Sequence, residues 1–198
     1  MFSAQKKRSK MLFLVTCIFI FVPGLCAAAE QLSAITFSAK KTDVMLSSIQ
    51  KPVKAKGEYV EVTLQGRLYK PGIDLPLKIK DTSDRSTPEK ALSLDHHANL
   101  SDNAALIVSG WMPDDRPEIQ KMLADSKVRS LNKNAVAQIH KMTLKGIVEY
   151  KGYSLALVSY NDGDGPIHPV ITMKKVGKEW FLTNALSGDD VVNILMLD

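Results

Sequence analysis

Cysteine is nearly missing from this chain of 198 residues: Cys17 and Cys26 are the only two, and both lie in the first 29 positions. Downstream of Glu30 a disulfide, a thiolate metal ligand and a cysteine nucleophile are all excluded. The chain also lacks a second long apolar run after Val22, an internal repeat and a low-complexity tract. It holds no Gly-x-Ser-x-Gly elbow, no phosphate-binding loop and no dinucleotide fingerprint, which removes the common signatures of esterases, nucleotide hydrolases and dehydrogenases. One-sided charge is missing too, once the first 29 residues are set apart. The whole chain carries +5, but Lys6, Lys7, Arg8 and Lys10 supply four of those charges, leaving 22 basic against 21 acidic residues, a net of +1. Without a concentrated basic footprint no nucleic-acid partner is expected. The remaining charge is uneven: residues 81–125 hold nine acidic and four basic residues, whereas 30–80 hold five and nine.

What is present begins with those 29 residues. A basic stretch, the apolar run Met11–Val22, a Pro23-Gly24 break and the small residues Ala27-Ala28-Ala29 follow in the order that a signal peptidase reads. The run is about half of the roughly 20 residues a membrane-crossing helix needs. Leu25 precedes Cys26 where a lipoprotein signal wants a small residue. The expected cut is between Ala29 and Glu30, leaving a soluble periplasmic or secreted protein with no membrane anchor. The domain plan is then signal peptide 1–29, a β-rich segment 30–82 and an α+β domain 83–198.

Along the remainder, Val60, Val62, Leu64, Gly66 and Leu68 alternate with Glu61, Thr63, Gln65 and Arg67. This period of two marks a half-buried strand, with Gly66 at a bulge or a close backbone approach. A turn at Pro71-Gly72 and a returning strand at 75–79 make 56–80 a β-hairpin. Thr87-Pro88-Glu89 is a helix start. Ser101 or Asp102 caps a second short helix, and Asp115 to Glu118 opens a third. From about Val136 the period returns to two, with His140, Met142, Leu144, Gly146, Val148 and Tyr150 on one face. Strands at 153–160, 168–176 and 179–186 follow, the last two joined by a tight turn at Gly177-Lys178. Trp180, Leu182 and Leu186 form a row expected to face the helices. Residues 191–197 are an apolar tail that packs back. The fold class is α+β: short helices on a curved antiparallel sheet of about four strands, preceded by the hairpin.

Candidate chemistry is thin. Asp95-His96-His97 spells the triplet of the DHH phosphoesterases, but adjacent helical residues point about 100° apart. An exposed or capping histidine pair is the plainer expectation. Asp162-Gly163-Asp164-Gly165 opens like a calcium loop and lacks the later bidentate glutamate; acids and glycines also suit a hairpin loop. Asn99-Leu100-Ser101 matches the glycosylation sequon. His140 and His168 are titratable residues on strands, and Trp111, Tyr150 and Tyr160 are large aromatics. These five residues are the candidates for a pocket or interface. No catalytic set, cofactor or metal site is expected.

Helices near 87–99, 102–109 and 115–126 precede antiparallel strands over 136–186. With Thr87-Pro88-Glu89-Lys90-Ala91 at the start and Val176-Gly177-Lys178-Glu179-Trp180-Phe181-Leu182 near the end, residues 85–190 resemble the NTF2-like superfamily, the cystatin-like cone, of bacterial periplasmic type. The resemblance implies a sheet wrapped on helices and leaves the function open. The expectation is a secreted periplasmic binding or accessory protein without catalysis, acting through an envelope protein partner or a small apolar ligand. A small hydrolase or isomerase with a histidine–carboxylate pocket is the alternative, and a subunit of a secretion, pilus or polysaccharide-export apparatus is a third.

Overall fold

The computed structural model describes residues 32–44, 51–161 and 165–196. The segment 1–29, all but Val44 of residues 44–49, which read as a short apolar segment, and the Asp162-Gly163-Asp164 loop lie outside them. The described chain is α+β. Its strands are β1 (Ser33–Lys40), β2 (Lys54–Lys56), β3 (Tyr59–Leu75), β4 (Met142–Tyr150), β5 (Tyr153–Asn161), β6 (Pro166–Ile167), β7 (Val170–Val176) and β8 (Glu179–Leu182). All eight join one sheet in the order β1-β3-β4-β5-β7-β8, with β2 beside β3 and β6 beside β5. Between β3 and β4 run α1 (Pro88–Leu100), α2 (Ala104–Ser109), α3 (Arg116–Ala124) and α4 (Ser126–Ala137); α5 (Asp190–Leu195) closes the described chain.

A sheet of eight strands corrects the expected count of about four. The main cause is β3, a single strand of 17 residues where the sequence reads as a separate hairpin: it pairs with β1 and β2 as well as with β4, and so joins the N-terminal strands to the sheet. Pro71-Gly72 does not turn the chain. It falls where the β3–β4 register shifts, between Leu68 and Ile73. Proline cannot donate to a ladder, and a bulge is where a sheet tolerates that loss. The tight turn of this region is instead at Gly57, φ +58°, which joins β2 to β3. Because β3 pairs with β1 on one side and β4 on the other, residues before and after position 82 share the same sheet. The close approach read from Gly66 is present: a Cβ there would collide with the Ile147 carbonyl oxygen.

The second correction is at α4. Asp125 accepts from the backbone N–H of Lys127 (2.9 Å) and Val128 (3.2 Å), an N-cap that starts a helix. That helix runs through Val136, where a strand is expected from the sequence. His140 is left exposed in the connection, outside any strand. The expected single row of β4 is also split. Its register with β5 shifts between Leu144 and Gly146, so Met142, Leu144 and Ile147 pack in one apolar cluster and Val148 in another. The short helices start as their sequence reads, except that α2 is capped by Asn103, whose side chain accepts from Leu106 N–H (3.1 Å).

Both faces of the sheet are buried. Neighbours Ile147 and Val148 on β4, and Leu155 and Ala156 on β5, are 6% exposed or less and belong to opposite clusters. One face packs Leu144, Ile147, Val158, Met173 and Leu182 against Ala91 and Leu92 of α1. The other packs Val60, Val62, Val148 and Leu155 against Val191, Ile194 and Leu195 of α5. Trp180 and Leu182 face α1 as expected, but Leu186 joins the α5 cluster. Strand β8 ends at Leu182, and the chain then turns away from the sheet.

Candidate site between the helices

α1 carries the polar groups that a purely structural helix would not bury. Its N-terminus is capped by Thr87, which accepts from Lys90 N–H (3.3 Å), with Pro88 at the first position and Glu89 in the first turn. Three sets of α1 residues meet different surroundings. Ala91 and Leu92, near its N-terminal end, meet the sheet. Asp95 and Asn99, one helical turn apart, face a cavity of about 300 Å3 whose wall is Ile107, Trp111, Ile119, Met122, Leu123 and Val128, with Arg129 and Asn132 of α4. Glu89, Ser93 and His96 form the third set, at the i, i+4 and i+7 spacing of one helical face.

A hydrogen-bond chain lines the cavity. Asn132 Nδ2 donates to Asn99 Oδ1 (2.7 Å), and Asn99 Nδ2 donates to the Asp95 carbonyl (2.8 Å) and to its Oδ1 (3.2 Å). Asn99 is the only side chain among the described residues that donates to the Asp95 carboxylate. Burial pushes the Asp95 carboxyl up to about 6, against smaller opposing pulls from Asn99 and the Arg85 charge. It is ionised at neutral pH and holds a proton in mild acid. Arg129 seals one side by an ion pair with Asp102 (2.6 Å) and a bond to the Asp102 carbonyl (3.0 Å). Trp111 is held by backbone pairing with Leu182 of β8 and by Arg116 Nε on its carbonyl (3.0 Å). An apolar wall with a few convergent polar groups and one displaced pKa is the usual composition of a ligand site.

Two larger hollows lack those features. A trough of about 590 Å3 outside α2 and α3 is lined by Ala104, Ala105, Val108 and Leu123, and its one cation, Arg116, is committed to the Trp111 and Ser109 carbonyls. A polar groove of about 580 Å3 lies beside the β4–β5 turn and the N-terminal end of α5. There Lys151 pairs with Asp189 (2.9 Å) and covers Tyr150 at 5.0 Å. Lys174 covers Tyr153 at 4.7 Å. Lys151 and Asp189, two of its four charges, already satisfy one another.

The five residues singled out from the sequence are not gathered at one place. Trp111 lines the Asp95 cavity and Tyr150 the polar groove. Tyr160 pairs with Met142 on one side and Ile167 on the other, which brings His140 and His168 to its end of the sheet. Both histidines are exposed, and neither lines a cavity of the helical layer. The histidine pair 96–97 is not exposed as expected: His96 is 5% exposed, its Nε2 has no hydrogen-bond partner, and burial lowers its pKa. Sequence reasoning passed over Asp95 and Asn99 as members of a triplet and a sequon. Their signal was a polar pair at i, i+4 on a helix otherwise rich in Ala and Leu. Asn132 lies on α4, a stretch to which the sequence reading gave no element.

Among the described residues no group of three or more His, Cys, Asp or Glu is placed to hold a metal, and no helix is long and apolar enough to cross a membrane. Family models, curated proteins and solved structures yield no match to this chain. The chemistry of the site therefore carries the functional reading.

Proposed function

We propose that this protein is a secreted, periplasmic binding protein that holds a small apolar ligand in the Asp95 cavity. The carrying observation is that cavity: an apolar wall with Trp111 beside a carboxylate that has a single side-chain donor. A volume of about 300 Å3 sits at the small end of the ligand-site range. It suits a neutral body of two or three rings bearing one N–H or O–H donor for Asp95. The address rests on the signal-like order of residues 1–29. The NTF2-like reading draws support from α1, which touches both β3 and β8 across three intervening strands, as a helix filling the hollow of a cone does.

The test uses N-phenyl-1-naphthylamine, an apolar dye with one N–H. Its fluorescence should rise on binding, with energy transfer from tryptophan. Asp95→Ala should weaken binding by about tenfold, the loss of one hydrogen bond to a charged group. Absence of binding, or indifference to Asp95→Ala, sinks the reading. N-terminal sequencing of the envelope fraction tests the address: Glu30 is expected first.

Asp95 favours one second reading. A carboxyl with a pKa of about 6 is suited to general acid–base work near neutrality, as in a small isomerase. His96 cannot share that work, since it belongs to another stripe of α1. Turnover of any substrate that disappears in Asp95→Asn, with dye binding retained, would favour this reading.

A further inference from the structure

α1 borders a second cavity, about 260 Å3, that shares no lining residue with the Asp95 cavity. Its floor is Ser93, 1% exposed, whose hydroxyl has no hydrogen-bond partner. A buried hydroxyl left unpaired destabilises a fold; packing alone would be served better by alanine. One turn earlier stands Glu89, half-buried, which forms no hydrogen bond or ion pair among the described residues. The neighbouring charges are already engaged: Lys90 binds Asp84 (2.6 Å) and Ser86 (3.2 Å), and Asp81 accepts from the Ser83 hydroxyl (2.7 Å). Pro76 and Ile79 supply an apolar wall, and Lys80 stands exposed at the rim.

The unspent groups facing inward are thus a carboxylate and a hydroxyl, beside an apolar wall, with Lys80 at the rim. The geometry points to a binding site for an aliphatic primary amine, its ammonium set between the Glu89 carboxylate and the Ser93 hydroxyl and its methylenes laid along Pro76 and Ile79. An ammonium has three donors and no acceptor, so it satisfies both oxygens at once. A charge-assisted bond to Glu89 supplies most of the affinity. A carboxylate ligand meets the wrong sign, because Asp81, Asp84 and Glu89 outnumber Lys80 and Lys90 around the cavity.

Calorimetric titration of the purified protein with 1,5-diaminopentane, 1-aminopentane, 1-pentanol and pentanoate decides it. Both amines should bind with Kd of about 1 mM or tighter, and the alcohol and the acid should not. Glu89→Gln should raise Kd about tenfold or more. Ser93→Ala should raise Kd several-fold while leaving the melting temperature equal or higher. N-phenyl-1-naphthylamine binding should survive both substitutions, which separates this site from the Asp95 cavity. Pentanoate binding as well as the amines, no amine binding at about 10 mM, or amine binding unchanged in Glu89→Gln overturns the assignment. A fall in melting temperature in Ser93→Ala overturns the role given to the hydroxyl. Glu89→Gln, on a partly solvated side chain, gives its answer whether or not Ser93→Ala folds.

Discussion

The two faces of one sheet are buried in different ways. Against α5 the chemistry is uniform: Val60, Val62, Val148, Leu155, Val191 and Ile194 are all at most 1% exposed and aliphatic. Against the α1–α4 layer the core is equally tight at Leu144 and Met173, but the helix covering it also buries Ser93 and His96 and holds Asp95 at a cavity. Apolar burial stabilises at roughly 25 cal/mol per Å2, while an unpaired buried polar group costs about 1–3 kcal/mol. The α5 face therefore stabilises without that cost. On the function proposed above, the α1 flank gives up some stability to keep polar groups where a ligand can meet them, as functional sites commonly do.

That contrast can be broken by substitution. Ile194→Ala, at a position 0% exposed in the α5 cluster, should cost about 3–5 kcal/mol by urea denaturation. A cost under about 1 kcal/mol would mean that α5 does not hold the sheet. Trp180→Ala should cost about 2–3 kcal/mol, less than a fully buried tryptophan. Its ring is only half-buried, with the Lys175 ammonium 5.8 Å from its centroid. If the loss instead falls on ligand binding alone, Trp180 belongs to a recognition surface.

Asp95→Asn sharpens the comparison through pH. The folded carboxyl titrates near 6, above its ordinary unfolded value of about 3.9. The folded state therefore holds the proton more tightly. This group's stabilising contribution is complete below about pH 4 and is lost as pH rises through 6. Asparagine cannot ionise, so the variant should match the parent near pH 4 and exceed it at pH 7.5 by on the order of 2 kcal/mol. The difference between the two proteins isolates Asp95 from carboxyls of opposite sign such as Asp102, whose pKa Arg129 lowers. A flat difference across pH 4–7.5 would show that Asp95 is not buried as described. Smallest of all, Lys151→Ala in the polar groove should change stability by less than about 1 kcal/mol, as exposed ion pairs do. Lys178→Ala, in the exposed Gly177-Lys178 turn, should stay within about 0.5 kcal/mol.

Local signals were legible where one short-range rule dominated. Thr87-Pro88 started α1, the alternation from Val60 to Gly66 made a strand with one buried row, and Gly177-Lys178 turned between Val176 and Glu179. They failed where a partner element overruled the pattern. Pro71-Gly72 reads as a turn, yet pairing with β4 carries the chain through it as a bulge. Lys145 is passed over in the β4–β5 register, which flips every later residue to the other face. Helix α4 carries Val128, Leu131, Ala135 and Val136 at helical spacing, a signature that the reading of a strand from Val136 overrode, and so its Asn132 was passed over as a cavity residue.

The sequence by itself determined the α+β class, the boundaries of the first helices, the lack of thiol chemistry beyond Cys26 and the near-neutral charge after residue 29. These follow from composition and from interactions within about four residues, which a linear string displays. Only the tertiary structure decided that eight strands join one sheet, that its two faces are filled so differently, and that Asp95, Asn99, Trp111 and Asn132 meet at one cavity. Asp95 and Asn132 are 37 positions apart. Their meeting is a consequence of α4 packing on α1, and no local preference of either residue encodes it.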